Sequence, residues 1–258
     1  MDVWREATSN WSELCVAMGC SRTEVAGALV LTYPIQRSGA FYNSALVQNP
    51  QSLSTEKIEE LYAERNLPFA IILPKLKPYA ELGKSLEGRG YSAAPAWTLM
   101  THKEWVGRGN SEVRVDEIDG DQLGEWFELN DVFPHAESYG PTRLEMIERI
   151  AKEKSAQLLL ASLQGKYVGA ALLFMKYQVA SIHLVATLTE FRRRHVATTV
   201  TLEAIRRAGK DVAGLLWLRT RKGGTGEKVY TRIGFAPFAD IQSYTKTPQY
   251  EDCNLPPK

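Results

Sequence analysis

The sequence predicts a mixed α/β fold in two parts, and three observations carry that expectation. The chain has 258 residues, enough for one large domain or two ordinary ones. Strand-sized apolar runs alternate with helical periodicities along its length. Near the middle, residues 107–110 (Gly-Arg-Gly-Asn) interrupt the alternation without an apolar anchor and read as a linker. Hydrophobic residues at 44% and charged residues at 24% exclude a disordered, collagen-like or coiled-coil chain.

The elements follow in order. Residues 4–18 place Trp4, Ala7, Trp11, Leu14, Cys15 and Met18 at helical spacing, and Gly19 stops the helix. Residues 26–33 form an apolar strand ended by Pro34, and residues 41–47 another. Ser54 opens a helix that carries Ile58, Leu61 and Tyr62 on one face. Residues 67–74 form a buried strand bracketed by prolines, 78–87 a helix ended by Gly88 and Gly90, and 91–102 a broken strand. After the linker, residues 113–118 alternate with period two as a strand. Asp119 and Asp121 start a helix with Leu123, Trp126, Phe127 and Leu129; residues 133–141 form a loop and 142–152 a second helix. Residues 157–163 and 167–177 are strands joined by a turn at Gln164-Gly165-Lys166. A strand at 179–188, a helix at 196–208, a strand at 214–220, a helix at 226–233 and a strand at 235–246 complete the order β-α-α-β-β-β-α-β-α-β. The expected domains are 1–106 and 113–258, with 107–112 as the linker.

Composition narrows the function classes. No apolar run approaches the ~18 residues of a membrane span. Residues 1–6 lack a basic start leading into an apolar segment, so neither a signal peptide nor a membrane partner is expected, and the location expected is cytoplasmic. Cys15, Cys20 and Cys253 form no CxxC pair; they are expected as free thiols, and no metal is expected. The net charge is +1, but its distribution is uneven. Residues 111–150 hold eleven acidic against three basic residues, and residues 191–232 hold eleven basic against three acidic. These runs are either solvated faces or surfaces that meet a cation and an anion respectively. No recognition-helix or RNA-binding signature accompanies the basic run, so nucleic acid is not an expected partner.

The chemistry concentrates where the strand at 179–188 ends. Arg192, Arg193 and Arg194 follow it, and a helix begins at once. A helix N-terminus with unpaired amides, a positive dipole end and adjacent guanidinium groups is suited to phosphate. This stretch resembles the GCN5-related N-acetyltransferase (GNAT) superfamily. The family signature for acetyl-coenzyme A, Arg/Gln-x-x-Gly-x-Gly/Ala, opens the third helix after the fourth strand. It reads here Arg192-Arg193-Arg194-His195-Val196-Ala197, with His195 in place of the first glycine. A first-turn helical residue needs no positive φ, so His195 is expected to be sterically tolerated. Residues 226–235 resemble a second family signature, a helix whose tyrosine stands four residues before Gly234-Phe235. The resemblance spans residues 113 to about 250. Residues 1–106 resemble the N-terminal part of bacterial two-part members, through Ser38-Gly39, Phe41-Tyr42-Asn43, Leu67-Pro68-Phe69, Gly88-Arg89-Gly90-Tyr91 and Met100. That part is expected as a degenerate half without coenzyme, or alternatively as an unrelated accessory domain.

The resemblance implies a mostly antiparallel sheet flanked by helices, in two tandem halves. It implies acetyl-coenzyme A as co-substrate and a primary amine of a small, possibly cationic molecule as acceptor. Val185 and Thr187 would align the pantetheine arm through their backbone. Arg192, Arg193, Arg194, His195, Val196, Ala197 and Thr198 would hold the pyrophosphate. Tyr230 would reprotonate the leaving thiolate. His183, in an apolar strand, is a candidate base because an ordinary imidazole pKa near ~6.5 suits that work. Phe133, His135, Glu137 and Tyr139 are expected to wall the acceptor pocket, with His135 and Glu137 as alternative bases. A peptide or protein amine, or a non-catalytic acyl-coenzyme A-binding module, are the other readings; a monomer and a homodimer are both compatible with the sequence.

Overall fold

The computed structural model describes residues 2–33, 42–104, 107–118, 120–130, 140–211 and 214–246. These fall into two compact units, residues up to 98 together with 239 onward, and residues 99–238. Both units are mixed α/β. The contact boundaries lie at 98/99 and 238/239, so residues 107–110 run inside the second unit.

In the first unit, helix α1 (Val3–Ala17) opens with Asp2 as its cap, the carboxylate accepting from the Arg5 amide at 3.2 Å. Trp4, Ala7, Trp11, Leu14 and Cys15 line its buried face, as the spacing predicts. The Trp4 indole donates to Val47 O at 2.6 Å and pins the helix to the sheet. Strands β1 (Ser21–Val25), β2 (Ala28–Thr32) and β3 (Ser44–Val47) pair antiparallel in sequence. Helix α2 (Thr55–Glu64) then crosses to β4 (Ala70–Pro74), which runs parallel to β3. The N-terminus of α2 is closed by its own residues: Ser54 Oγ accepts from the Lys57 amide at 3.4 Å, and Glu56 stands in the first turn. A 3-10 turn, Lys77–Tyr79, leads into α3 (Ala80–Gly88), which is followed by the short β5 (Ser92–Ala93). Cys15 and Cys20 are buried free thiols.

Strand β6 (Trp97–His102) leads from the first unit into the second. The second unit continues with β7 (Arg114–Glu117), a 3-10 turn at Gly120–Gln122, α4 (Leu123–Asn130) and α5 (Gly140–Ile150). Then come β8 (Ala156–Leu163), β9 (Lys166–Lys176), β10 (Val179–Thr187), α6 (Val196–Asp211), β11 (Leu215–Arg221), α7 (Thr225–Thr231) and β12 (Phe235–Thr245). This is the predicted element order. The sheet order in this unit is β12-β6-β11-β10-β9-β8-β7, so β6 stands between β11 and β12. The last residues of β12, from Ala239 on, belong to the first unit, where they pair antiparallel with β4 and β5.

The core of the second unit lies between the sheet and α6. Leu159, Ala161, Ala171, Leu173, Ala180, Ile182 and Leu218 meet Val196, Val200, Ala204 and Ile205 there. Burying a Leu or Val side chain of this kind contributes roughly 1.5–3 kcal/mol. α4 packs against β8, β9 and β10, with Trp126 fully buried and its indole donating to Ala171 O at 3.2 Å. Among the described residues no helix is long and apolar enough to cross a membrane.

Candidate functional site

Two parallel strands of the second unit pair and then part. β10 and β11 are in register from Val179↔Leu215 to Ile182↔Leu218, where the ladder stops. On its other edge β10 pairs with β9 through His183↔Leu172 and resumes at Ala186↔Ala170. One extra residue on β10 over that interval makes a β-bulge. Leu184, inside the bulge, takes φ 52. Leu184 and Val185 thus have a register partner on neither side. Val185 packs toward α6 with Ile182, whereas His183 projects from the opposite face, as strand alternation requires. The Thr187 hydroxyl is buried without a hydrogen-bond partner.

Beyond β10 a single 3-10 turn, Thr189–Phe191, leads to Arg192 in extended conformation. Arg193 and His195 then take φ 64 and 61. This corrects the expectation for His195. It is not a first-turn helical residue but the cap, its carbonyl accepting from the Thr199 amide at 2.9 Å and the Thr199 hydroxyl at 2.8 Å. The left-handed region costs a non-glycine residue roughly 1–2 kcal/mol, so surrounding contacts must hold the turn. Asn110 supplies two of them: its side chain donates to Arg194 O at 3.1 Å, and its amide donates to Thr199 Oγ1 at 2.8 Å. The Arg194 guanidinium lies 5.4 Å from the centre of the Phe191 ring. The expected linker at 107–110 is thus a brace for this turn.

The start of α6 also comes unusually close to the sheet. A Cβ on Gly169 of β9 would stand 2.5 Å from Val196 Cγ1 and 3.0 Å from Ala186 O. Only glycine fits there. The amides of Val196, Ala197 and Thr198 precede the first intrahelical bond and remain free for an anion. Arg192, Arg193 and Arg194 make no ion pair among the described residues. The basic run therefore divides, because Arg206 and Arg207 are held by Glu203 at 2.5 and 2.8 Å, and Arg207 also by Glu117 at 2.7 Å. Part of the acidic run is likewise consumed: Asp116 meets Arg114, and Glu145 meets Arg149, each at 2.7 Å.

Tyr230, on α7, is half-buried against the same core cluster as Val185. Its ring stands 6.1 Å from that of Phe235 at 66°. Burial pushes its hydroxyl up to about 12, so it holds its proton at neutral pH. Gly234 ends this segment at φ 95, and a Cβ there would collide with Glu104 O. Lys103 N donates to Gly234 O at 2.9 Å, tying the end of β6 to the start of β12.

His183 does not keep an ordinary imidazole pKa. Burial, and secondarily the charge of Arg219, push it down to about 3. Its ring meets the Trp217 ring edge-on at 5.5 Å and 90°, and its Nε2 is buried without a partner. A group this weakly basic is poorly matched to deprotonating an alkylammonium at pH 7. The other expected acceptor residues, Phe133, His135, Glu137 and Tyr139, lie outside the described residues. Sequence reasoning missed Asn110, Thr199 and Gly169; only Gly169, a glycine inside a strand, carried a local signal of close approach.

The chain resembles known proteins in sequence profile and in fold. The profile of the "Acetyltransferase (GNAT) family" matches residues 121–235. No curated protein matches by sequence. Among solved structures, a GCN5-related N-acetyltransferase from Kribbella flavida superposes with a TM-score of 0.71 at 17% identity, covering 95% of both chains. One from Sphaerobacter thermophilus gives 0.61 at 14% identity over 87% of this chain and 75% of that one. A tandem GNAT protein from the clavulanic acid biosynthesis pathway gives 0.57 at 12% identity over 79% and 74%. At these identities the likeness establishes the fold, and the likeness to the family rests on the profile match over residues 121–235. Residues 121–235 resemble an acetyltransferase domain of the GNAT family.

Proposed function

We propose that the second unit is an acetyl-coenzyme A-dependent N-acetyltransferase acting on the primary amine of a small molecule, and that the first unit is a degenerate accessory half. One observation carries the reading. The unpaired bulge at Leu184 and Val185 and the arginine-flanked N-terminus of α6 lie at the two ends of one short segment. A pantetheine arm and a pyrophosphate need those two features side by side. The buried, unpartnered Thr187 hydroxyl lies between them and fits a polar ligand.

Coenzyme A, when bound, presents the acetyl group as a thioester open to amine attack. The amides of Val196, Ala197 and Thr198, with Arg192 and Arg193, hold the pyrophosphate. Val185 and Thr187 align the arm through backbone groups that the strand ladder leaves over. The Val185 amide stabilises the negative charge that develops on the thioester oxygen. Tyr230 donates its proton to the departing sulfur. Proton removal from the acceptor falls to His135, Glu137 or solvent, given the weak basicity of His183. The cap on α2 supports the accessory role of the first unit, because Ser54 and Glu56 occupy that helix start with an oxygen and a carboxylate.

Calorimetric titration with acetyl-coenzyme A tests the reading. One micromolar site per chain, lost in Arg192→Ala, followed by turnover on a panel of small amines, supports it. Binding without turnover on any amine or peptide favours a coenzyme-binding module, the reading to which the low basicity of His183 lends weight. No binding overturns both.

A further inference from the structure

We infer that His183 and Trp217 form the floor of the acyl recess and restrict the thioester to a short acyl group. This rests on the coenzyme site proposed above. The argument begins with where the ladder ends. β10 and β11 are joined as far as Ile182↔Leu218, and beyond that pair they part. A thioester held at the Val185 amide leaves its acyl carbon beside the bulge, at the apex of this opening. On the α6 face the apex is bounded by Ile182 and Leu218 of the core cluster and by Val185, which packs against it. On the opposite face it is bounded by His183 and Trp217, each one residue from a member of the last joined pair.

Those two rings pack against each other on that face. Trp217 is completely inaccessible, and the His183 imidazole stands edge-on to it at 5.5 Å and 90°. The His183 Nε2 makes no hydrogen bond, so on that side the ring is positioned by packing rather than by a polar partner. Trp217 is among the largest fully buried side chains of the molecule, and Ser181, its register partner on β10, is fully buried as well. An acyl chain extended past two carbons at the apex must therefore push aside the half-buried His183 ring or enter the close-packed interior around Trp217. A floor of this kind discriminates by chain length, and a methylene in a closed apolar pocket is worth roughly 10–200-fold in specificity.

The test uses the intact chain and needs no acceptor. Coenzyme A, acetyl-, butyryl- and hexanoyl-coenzyme A are titrated by calorimetry into the wild-type protein, His183→Ala and Trp217→Phe. The wild type is expected to bind butyryl-coenzyme A at least about tenfold more weakly than acetyl-coenzyme A, and hexanoyl-coenzyme A more weakly still. His183→Ala is expected to narrow that ladder at least severalfold while keeping its affinity for unacylated coenzyme A. A flat or inverted ladder in the wild type overturns the inference, as does a ladder unchanged in His183→Ala. If that variant fails to fold, Trp217→Phe supplies the comparison, and the wild-type ladder stands as a test by itself. Failure of every coenzyme to bind instead overturns the site, which is a distinguishable result.

Discussion

The side-chain amide of Asn110 donates to the backbone oxygen of Arg194, 84 residues further along the chain, at 3.1 Å. Together with the 2.8 Å bond from the Asn110 amide to Thr199 Oγ1, it holds a turn whose Arg193 and His195 both occupy the left-handed region. Asn110→Ala is expected to cost about 1 kcal/mol, the usual worth of one such bond, and to weaken acetyl-coenzyme A binding severalfold. Denaturant unfolding and calorimetry measure the two effects. Thr199→Val is expected to act non-additively with it, because both residues serve one network.

His195→Gly relieves the strain at φ 61. A stabilisation of about 1 kcal/mol is expected, reduced somewhat by the larger freedom of glycine in the unfolded chain. His195→Ala keeps the strained geometry and is expected to bring no such gain. Urea midpoints of the two variants, compared side by side, separate backbone relief from loss of the imidazole.

Gly169→Ala forces a methyl group against Val196 and Ala186. A cost of roughly 1–3 kcal/mol is expected, the range for overpacked interiors. Because Val196 opens α6, the same change is expected to lower coenzyme affinity, whereas a change of equal cost in the first unit leaves that affinity alone.

Tyr230→Phe keeps the ring packed against Phe235 and removes only the hydroxyl, the proposed acid. Turnover is expected to fall by about 10²-fold or more with unchanged affinity for acetyl-coenzyme A. A drop in affinity with turnover intact would assign Tyr230 to packing instead.

His183 gives the protein an acid-sensitive stability. Its folded pKa of about 3 lies below the ordinary 6.5, so the unfolded chain takes up a proton first as pH falls. The neutral imidazole's full contribution is present above pH 6.5 and drains away toward pH 3, with a slope approaching ~1.4 kcal/mol per pH unit. His183→Gln is expected to flatten the stability profile between these limits, measured by denaturant midpoints at several pH values.

Much of the second unit could be read from its sequence because its signals are local. Glycines, alternation and apolar runs mark β8 to β12 within one or two residues. The basic turn before α6 was legible for the same reason. β1 was missed, since its sequence Ser-Arg-Thr-Glu-Val is almost wholly exposed and offers no apolar face. The positive φ of His195 was not legible, because nothing in a histidine announces a left-handed backbone. The Asn110 brace was hidden by distance along the chain, and a polar glycine-containing segment looks like a linker until its partners are known. The basicity of His183 was overestimated for a related reason, since burial against Trp217 is a tertiary property.

The position of β6 between β11 and β12 bears on the order in which the molecule can be assembled. On a ribosome, Leu99 and Met100 emerge more than a hundred residues before β11 and β12, the strands that flank them. The first unit waits longer still, because the strand that covers β4 begins only at Ala239. Neither half of the polypeptide can close its sheet while it is being made. Each must idle with an open edge until β11 and β12 have been made, a high-contact-order arrangement that slows folding and leaves nascent chains open to mispairing.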